Sequence, residues 1–339
     1  MDVVYSRTHL KHAPARFIRL GEWADNPETP ARAETLVAAA RAAGHRVIAP
    51  DDFGASPRRA VHGAAHLAFL ESAHRRWLQL DGASDDLVPN AHPIRHGAAY
   101  PEGVVGQAGW HIADTACPIG PGSWEAACAS ANVAVHAAQL VLDGAPAAYG
   151  ICRPPGHHAH DDLSGGFCLL NNIAIAAEHM LAKLSRVAIL DIDVHHGNGT
   201  QGIFYGRGDV LFVSVHADPS AFYPFFTGYG DERGAGAGEG ATLNLPVALG
   251  EGDDAYVAAI GRGVAAIAAY RPEALLISLG FDAYVDDPLS PLAVTSGGFE
   301  AAGAAIAGLG LPSVLIQEGG YDCKSLGRNL MAFLAGLQG

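Results

Sequence analysis

Residues 187–201 have the sequence VAILDIDVHHGNGTQ, an aliphatic run that gives way to acidic and histidine side chains. The run Val187–Leu190 has the length and composition of a strand that is buried on both faces. Such strands belong to parallel sheets that are covered by helices on both sides. Asp191, Asp193 and His195 follow at alternate positions, and a strand period of two would place them on one face as the strand ends.

Similar apolar runs recur along the chain and alternate with alanine-rich helical segments. This alternation predicts an α/β fold, a single domain over residues 1–339 with a mostly parallel multi-stranded sheet flanked by helices on both faces. Two long segments, 79–119 and 217–240, interrupt the pattern, and loops of this length usually build or cover a site. The predicted strands are Val3–Tyr5, Arg46–Ile48, Ala148–Cys152, Val187–Leu190, Val210–Val215, Leu275–Leu279 and Val314–Gln317. The predicted helices are Pro30–Ala43, Trp124–Asp143, Ile173–Ser185, Ala255–Tyr270 and Gly298–Ala307.

The unusual polar residues of the chain lie just after predicted strands. His157 and His158 follow one strand, and Asp282 follows a second. Tyr321 follows a third strand, and the segment that contains Asp193 follows a fourth. Ligands of open α/β sheets bind beyond the carboxyl ends of the strands. The sequence therefore predicts an active site at this edge of the sheet.

Asp193, His195 and Asp282 form a set of two oxygen ligands and one nitrogen ligand. Three protein ligands leave a position free for water, as a catalytic metal site requires. Zn²⁺ is the first choice, and Fe²⁺ and Mn²⁺ also accept carboxylate and imidazole ligands. Taken alone, Asp282 is also explained as a helix cap or a turn residue. The segment around Asp193 is harder to explain in that way, because carboxylates at a buried strand end need a compensating cation.

The adjacent His157 and His158 follow the rigid segment RPPG. Beside a metal-bound water, such a pair can act as general base and electrostatic stabiliser. Each ring then needs an acceptor on its far nitrogen, and Asp191 and Asn198 are the candidates. The alternative is that both histidines are ordinary loop residues in a chain that has 17 histidines.

Tyr321 follows a Gly-Gly pair, which would let the chain turn its phenol towards an oxyanion that develops beside the metal. His160 is interpreted as a loop residue. The glycines at 197–199 do not indicate a phosphate loop, because the lysine of a P-loop and the GxGxxG spacing are both missing.

The charge and the cysteines narrow the classes of partner. The chain has 21 basic and 35 acidic residues, a formal charge of -14. Such a surface repels nucleic acid and anionic membranes and favours cationic partners, although it also simply keeps a protein soluble. The five cysteines show no CxxC spacing, which is typical of thiols in a reducing compartment. No signal region and no apolar run of about 18 residues is found, so we expect a cytoplasmic protein.

Six segments occur in the order that is found in histone deacetylases, and the chain resembles this family over roughly residues 6–330. Within the family it looks most similar to the bacterial acetylpolyamine amidohydrolases, through its long insert and the segment PGSWEAA at 121–127. The six segments are RPPGHHA (153–159), GGFCLLNN (165–172), ILDIDVHHGNGTQ (189–201), FVSVH (212–216), SLGFDAY (278–284) and EGGY (318–321).

The resemblance implies an arginase/deacetylase-like sheet and a zinc-dependent deacetylase in which Asp193, His195 and Asp282 bind Zn²⁺. It implies that His158 and the metal activate water and that His157 assists. Tyr321 would polarise the acetyl carbonyl. The partners of the two histidines would be Asp191 for His157 and Asn198 for His158.

The resemblance also implies a substrate tunnel and a second cation. Phe167 and Tyr223 would form aromatic walls of the tunnel, and Gly165 would line it with its backbone. Asp191 and Ser214, with nearby carbonyl groups, would bind K⁺.

The resemblance further implies a small acetylated amine as substrate, above all an acetylpolyamine. In the acetylpolyamine enzymes, acidic residues of this insert bind the distal ammonium groups. This chain departs from that pattern, because apolar Val105 and Ala116 lie near those positions, and Glu102 and Asp114 of the insert at about 79–119 are the nearby acids that would have to replace them. The insert would also form a homodimer and narrow the entrance to the site. The alternatives are deacetylation of acetyl-lysine in proteins or peptides, an amidase on another small amide, a two-manganese ureohydrolase, and a metal sensor without activity.

Overall fold

Eight parallel strands form one sheet in the computed structural model, which describes residues 1–93 and 98–339. Their order across the sheet is β4-β1-β5-β10-β9-β6-β7-β8, and β2 and β3 pair separately as an antiparallel hairpin. The strands are β1 (Asp2–Tyr5), β2 (Arg16–Arg19), β3 (Glu22–Asp25), β4 (Arg46–Ile48), β5 (Ala147–Ile151), β6 (Val187–Asp191), β7 (Val210–Ala217), β8 (Thr242–Val247), β9 (Ala274–Leu279) and β10 (Ser313–Gln317).

Helices cover both faces of this sheet, so the core has two halves. Val187 and Ile189 of β6 pack into one half, while Ala188 and Leu190 pack into the other. This two-sided burial explains why β6 has no polar residue at alternate positions. The helices are α1 (Pro30–Ala42), α2 (Ser56–Val61), α3 (Ala64–Trp77), α4 (Val104–His111), α5 (Ser123–Leu142), α6 (Asn172–Leu181), α7 (Asn198–Phe204), α8 (Asp253–Tyr270), α9 (Ser296–Ala307) and α10 (Cys323–Gln338).

The predicted α/β fold with a parallel sheet is confirmed, and all seven predicted strands and all five predicted helices are present. The helix expected to reach Ser185 ends at Leu181 instead. Strand β8 was not predicted, because its segment TLNLPV contains Pro246. Since β8 is an edge strand, one side of it needs no partner, and proline is tolerated there.

The two long segments are mostly irregular where they are described. The first, 79–119, contains α4 and a bridge between Leu87 and Ile119. Residues 94–97 of this predicted insert lie outside the described residues. The second segment connects β7 to β8 and contains one short 3-10 turn, Gly236–Gly238. Within the described ranges, no helix has the length and apolar character to cross a membrane.

Candidate active site and metal centre

The loop after β6 carries two of the predicted ligands, Asp193 and His195, but it does not continue the strand. The strand ends at Asp191, two residues before Asp193. From there the acidic side chains bond to the backbone that follows them. The backbone N–H of Asp193 donates to Asp191 Oδ1 at 3.2 Å, and the N–H of His195 donates to Asp193 Oδ1 at 2.9 Å. These local turns, rather than the strand pleat, orient the side chains of Asp191, Asp193 and His195.

Asp193, His195 and Asp282 form a compact buried group at the carboxyl edge of the sheet. His195 Nδ1 lies 3.1 Å from Asp193 Oδ1 and 3.1 Å from Asp282 Oδ2. One ligand atom from each residue lies within 4.8 Å of the others. The strands β6 and β9, which deliver them, are neighbours in the sheet. The structure therefore brings together the three predicted metal ligands.

Backbone groups hold the outer oxygens of both carboxylates. Gly319 N–H donates to Asp193 Oδ2 at 2.7 Å, and Val194 N–H donates to Asp282 Oδ1 at 3.0 Å. A Cβ atom at Gly319 would lie 2.1 Å from Asp282 Oδ2, closer than any side chain allows. The first glycine of EGGY is thus required by the close approach of the chain to the ligands.

The charges of this group suit a metal ion. Burial, with the nearby charge of Asp193, raises the pKa of the Asp282 carboxyl to about 7. Burial opposes a charge on His195, but its hydrogen bonds to the two carboxylates raise the pKa of this ring to about 9. Asp282 and His195 thus tend to hold protons, whereas, against the effect of burial, the charge of His157 and the hydrogen bonds from His195 lower the pKa of Asp193, and a divalent cation would replace the retained protons. This donor set fits a divalent metal ion.

A second buried group, His157, Cys168 and Glu318, also brings ligand atoms within 4.8 Å of one another. Two of its members already have other partners. Glu318 Oε2 accepts from the N–H groups of Gly156 and His157 at 2.6 and 3.1 Å, and His157 Nδ1 faces Asp191. The group around Asp193 is therefore the better candidate for a metal site.

His157 and His158 stack with ring centroids 4.1 Å apart, but they have different partners. His157 Nδ1 lies 2.9 Å from Asp191 Oδ2, and His158 Nδ1 lies 2.7 Å from Asn198 Oδ1. Both rings are almost completely buried. The partners are the two residues that the sequence suggested, one a carboxylate and the other a neutral amide.

These partners shift the pKa values of the two rings in opposite directions. Burial opposes a charge on His157, yet the carboxylates of Asp191 and Asp193 outweigh it and raise the pKa of His157 to about 10. Burial and the charges of His157 and His195 hold the pKa of His158 well below its usual value. Two titratable groups with opposite shifts in one cleft are typical of a catalytic pair.

Tyr321 is held from behind by Arg32, a residue that was not predicted. The guanidinium carbon of Arg32 lies 4.6 Å from the centroid of the Tyr321 ring. Arg32 also donates to the carbonyl groups of Gly320 and Glu318. Burial raises the pKa of Tyr321, so its phenol keeps its proton and remains a donor.

A cavity of about 410 Å³ opens onto this group of residues. The rings of Phe17 and Phe167 lie 5.5 Å apart at one part of its wall, and those of His158 and Tyr223 lie 5.0 Å apart at another. A larger cavity of about 710 Å³ extends from Met1 at the opposite edge of the sheet, and none of the candidate residues lines it. The residues that line the smaller cavity include Phe17, Asp114, His158, Gly166, Phe167, His195, Phe222, Tyr223, Phe225 and Tyr321.

The glycine that lines this cavity is Gly166, one residue after the predicted Gly165. Gly165 is buried behind it and pairs through its backbone with Cys168. Asp114 faces the same wall, where its Oδ2 accepts from the Tyr223 hydroxyl at 2.6 Å and from Gly166 N–H at 3.0 Å. The carboxylate of Asp114 is therefore already bonded to the tunnel wall.

The other two predicted groups lie in different places. Asp191 and Ser214 are paired in register on β6 and β7, and both are fully buried. Ser214 Oγ lies 2.8 Å from His216 Nδ1. Glu102 is exposed and is not part of the cavity wall.

Behind the site lies a buried charge cluster that was not predicted either. Glu28 Oε1 lies 2.7 Å from Arg32 and 2.8 Å from Arg153, and all three side chains are fully buried. Arg153 begins the segment that carries His157, and Arg32 contacts the segment of Tyr321. Arg153 belongs to the recognisable RPPG motif, whereas Arg32 and Glu28 have no local sequence signal.

Comparison with known proteins agrees with this geometry. Residues 26–337 match the family model of the histone deacetylase domain. The acetylpolyamine amidohydrolase of Burkholderia pseudomallei (strain 1710b) is 48% identical over 326 residues, which cover 96% of this chain and 95% of the relative. Acetylpolyamine amidohydrolase 1 of Pseudomonas aeruginosa is 45% identical, with coverage of 99% and 98%.

Solved structures agree as well. The crystal structure of acetylpolyamine aminohydrolase from Burkholderia pseudomallei matches with a TM-score of 0.97 and 46% identity, and covers 99% of this chain and 98% of that one. The HD domain of HDA15 matches with a TM-score of 0.82 and 28% identity, with coverage of 100% and 91%. The chain therefore belongs to the histone deacetylase family and is a metal-dependent hydrolase of the deacetylase type.

Proposed function

We propose that the chain hydrolyses the amide bond of small N-acetylated alkylamines, above all acetylpolyamines, and releases acetate and the free amine. The observation that carries this proposal is the meeting of a metal-ligand group, two histidines of opposite acidity and a phenol at one aromatic-walled cavity. The names of the relatives support acetylpolyamines as the first substrate class to test.

Asp193, His195 and Asp282 would hold a single Zn²⁺, with Fe²⁺ or Mn²⁺ as alternatives. When bound, this ion would supply Lewis acidity at the acetyl carbonyl and lower the pKa of a water molecule. Asp191 and Ser214, paired on neighbouring strands, would contribute to a K⁺ site.

The histidines divide the proton transfers. His158, whose Nδ1 faces a neutral amide, has an Nε2 lone pair that takes the proton of the attacking water and returns it to the leaving amine. His157 faces the Asp191 carboxylate, which favours its cationic form. That positive charge stabilises the negative charge that develops on the substrate.

Tyr321 and the cavity wall complete the reaction site. The phenol of Tyr321 donates a hydrogen bond to the oxygen of the reacting carbonyl, and this bond strengthens as the oxygen becomes anionic. The rings of Phe167 and Tyr223 pack against a thin methylene chain and exclude water from it.

The insert at 79–119 would form the rim of the site and a homodimer interface. The part of this proposal that concerns the rim is supported by Asp114, which lines the cavity. Sedimentation at micromolar concentration tests the dimer, and a purely monomeric protein would contradict it. We also expect a reducing compartment such as the cytoplasm, because all five cysteines are free.

A substrate panel tests the proposed function. Zinc-loaded protein is incubated with acetylputrescine, acetylcadaverine, the acetylspermidine isomers and an acetyl-lysine peptide, and kcat/KM is compared. We expect acetate release to be fastest from a small amine and to disappear in Asp193→Ala. Faster release from the peptide would favour a protein deacetylase. Release from none of these compounds, with wild type equal to Asp193→Ala, would refute a deacetylase.

A further inference from the structure

His160, interpreted from the sequence as a loop residue, lies next to Asn198. The amide nitrogen of Asn198 is 3.2 Å from His160 Nε2, while its amide oxygen is 2.7 Å from His158 Nδ1. The three side chains thus form a row in which one planar amide connects two imidazoles. Because the amide is planar, the group at one end decides which atom is presented at the other.

The surroundings of His160 are built to accommodate this ring. Its backbone N–H donates to Leu163 O at 2.8 Å, which fixes the turn that carries it. Gly202 of α7 faces the ring, and a Cβ atom there would lie 2.4 Å from His160 Nδ1. Burial lowers the pKa of His160, so the ring is neutral at neutral pH and has one nitrogen with a free lone pair.

We propose that His160 is a positioning residue that fixes the orientation of the Asn198 amide and thereby the tautomer of His158. This inference rests on the proposed function, in which His158 is the base. In this arrangement His160 carries its proton on Nδ1, and the lone pair on its Nε2 accepts from the Asn198 amide nitrogen. The amide oxygen must then face His158, so that His158 carries its proton on Nδ1 and keeps its Nε2 lone pair.

The opposite orientation of the amide would disable the base. If Asn198 were flipped, its N–H would face His158 Nδ1, which would have to accept the hydrogen bond. The proton of the neutral ring would then sit on Nε2, and no lone pair would be available for the attacking water. The amide group of Asn198 has nearly the same shape in both orientations, so a neighbouring group must determine which orientation is adopted. The amide of Asn198 contacts two histidine rings, and His158 is the one that takes part in the reaction. His160 is therefore the neighbour that can set the orientation of the amide.

Three substitutions of His160 test the inference. His160→Gln keeps an oxygen that can accept from Asn198, and we expect its kcat to stay within about threefold of wild type. His160→Leu removes the acceptor and should lower kcat about tenfold. His160→Lys offers only donors, favours the flipped amide and should lower kcat by about 10- to 100-fold, with KM unchanged. The same changes at His45, at the opposite edge of the sheet, are the controls and should leave kcat unchanged.

The tautomer is measured directly by ¹⁵N NMR of histidine-labelled protein, with the His158 signals assigned by loss in His158→Gln. We expect the proton on Nδ1 in wild type and His160→Gln, and on Nε2 in His160→Lys. If His160→Lys does not fold, His160→Leu decides: an unchanged tautomer with kcat within twofold of wild type would overturn the inference. The same result in a folded His160→Lys would also overturn it. Since the spectrum needs no substrate, its outcome is separate from failure of the proposed function, which would appear as a wild type that releases no acetate.

Discussion

Removal of the Tyr321 hydroxyl changes the chemistry of the site without changing its packing. In Tyr321→Phe the ring stays against the guanidinium group of Arg32, whose carbon lies 4.6 Å from the ring centroid. It also stays beside the ring of Phe167, with the two centroids 5.7 Å apart. The hydroxyl forms none of the hydrogen bonds within the described residues, where Tyr321 contributes only backbone groups: its N–H donates to Asp287 and its carbonyl accepts from Cys323 N–H. Its removal therefore leaves no buried group without a partner, and the cost to stability should stay below about 0.5 kcal/mol.

The expected magnitudes differ sharply between stability and turnover. For a chain of 339 residues, an unfolding entropy of about 2.1 cal/mol/K per residue gives about 0.7 kcal/mol/K, so the Tm of Tyr321→Phe should fall by less than about 1 °C. Loss of one oxyanion donor costs about 2.7–4 kcal/mol in the transition state, so kcat should fall about 10²- to 10³-fold. KM should change by less than about threefold, because the bond strengthens in the transition state.

Tyr223→Phe in the same cavity is the matched control. It removes the 2.6 Å hydrogen bond to Asp114, which still accepts from Gly166 N–H. Hydrogen bonds to charged groups contribute about 1.5–3 kcal/mol, and partial exposure of the carboxylate reduces this to about 1–2 kcal/mol. We expect a Tm lower by about 1.5–3 °C and a higher KM, with kcat reduced less than tenfold.

Both variants are compared with wild type by acetate release from acetylputrescine and by scanning calorimetry, after loading with zinc. A kcat within fivefold of wild type in Tyr321→Phe would refute the assignment of this phenol to the oxyanion. A larger loss of kcat in Tyr223→Phe than in Tyr321→Phe would refute it as well.

Three further predictions concern the surroundings of the site. Glu28→Gln leaves the two buried guanidinium groups of Arg32 and Arg153 poorly compensated and should lower the free energy of unfolding by about 3–5 kcal/mol, or the Tm by about 4–7 °C. The control Asp2→Asn breaks the surface ion pair with Arg46 and should lower the free energy of unfolding by less than about 1 kcal/mol. Equal Tm shifts in the two variants would contradict the prediction. Asp114→Asn should lower kcat/KM by similar factors for cationic acetylputrescine and neutral N-butylacetamide, whereas a loss confined to the cation would mean that Asp114 binds an ammonium group. Burial lowers the pKa of His12 and of His62 to about 4, below the value near 6.5 in the unfolded chain. As the pH drops from about 6.5 towards 4, the unfolded state therefore takes up protons first, and calorimetry should show a falling Tm. A constant Tm over this range would contradict the prediction.

The sheet and the grouping of the candidate metal ligands could be predicted from the sequence because their signals are local. The aliphatic residues of β6 are buried on both faces, so the run itself identifies a parallel strand. Polar residues that directly follow such runs must collect at one edge, whatever the order of the strands. The sequence pattern alone is therefore enough to group Asp193, His195 and Asp282.

The residues that support the site were not accessible, because their contacts join distant parts of the chain. Arg32 contacts Gly320 and Glu318, 288 and 286 residues further along. In helix α1 it looks like an ordinary charged residue of a helix. Phe17 of the β2–β3 hairpin reaches the cavity wall in the same unpredictable way. The contact of His160 with Asn198 has no local sequence signal either, because the two residues are 38 positions apart.

Metal counting by native mass spectrometry tests the central claim most directly, namely that Asp193, His195 and Asp282 bind one catalytic ion. Wild-type protein and Asp282→Ala are saturated with zinc, transferred to volatile buffer and weighed intact. We expect one zinc ion per chain in wild type and none in Asp282→Ala, which should remain folded by circular dichroism. Two tightly bound ions per wild-type chain, or an unchanged zinc content in folded Asp282→Ala, would contradict the claim.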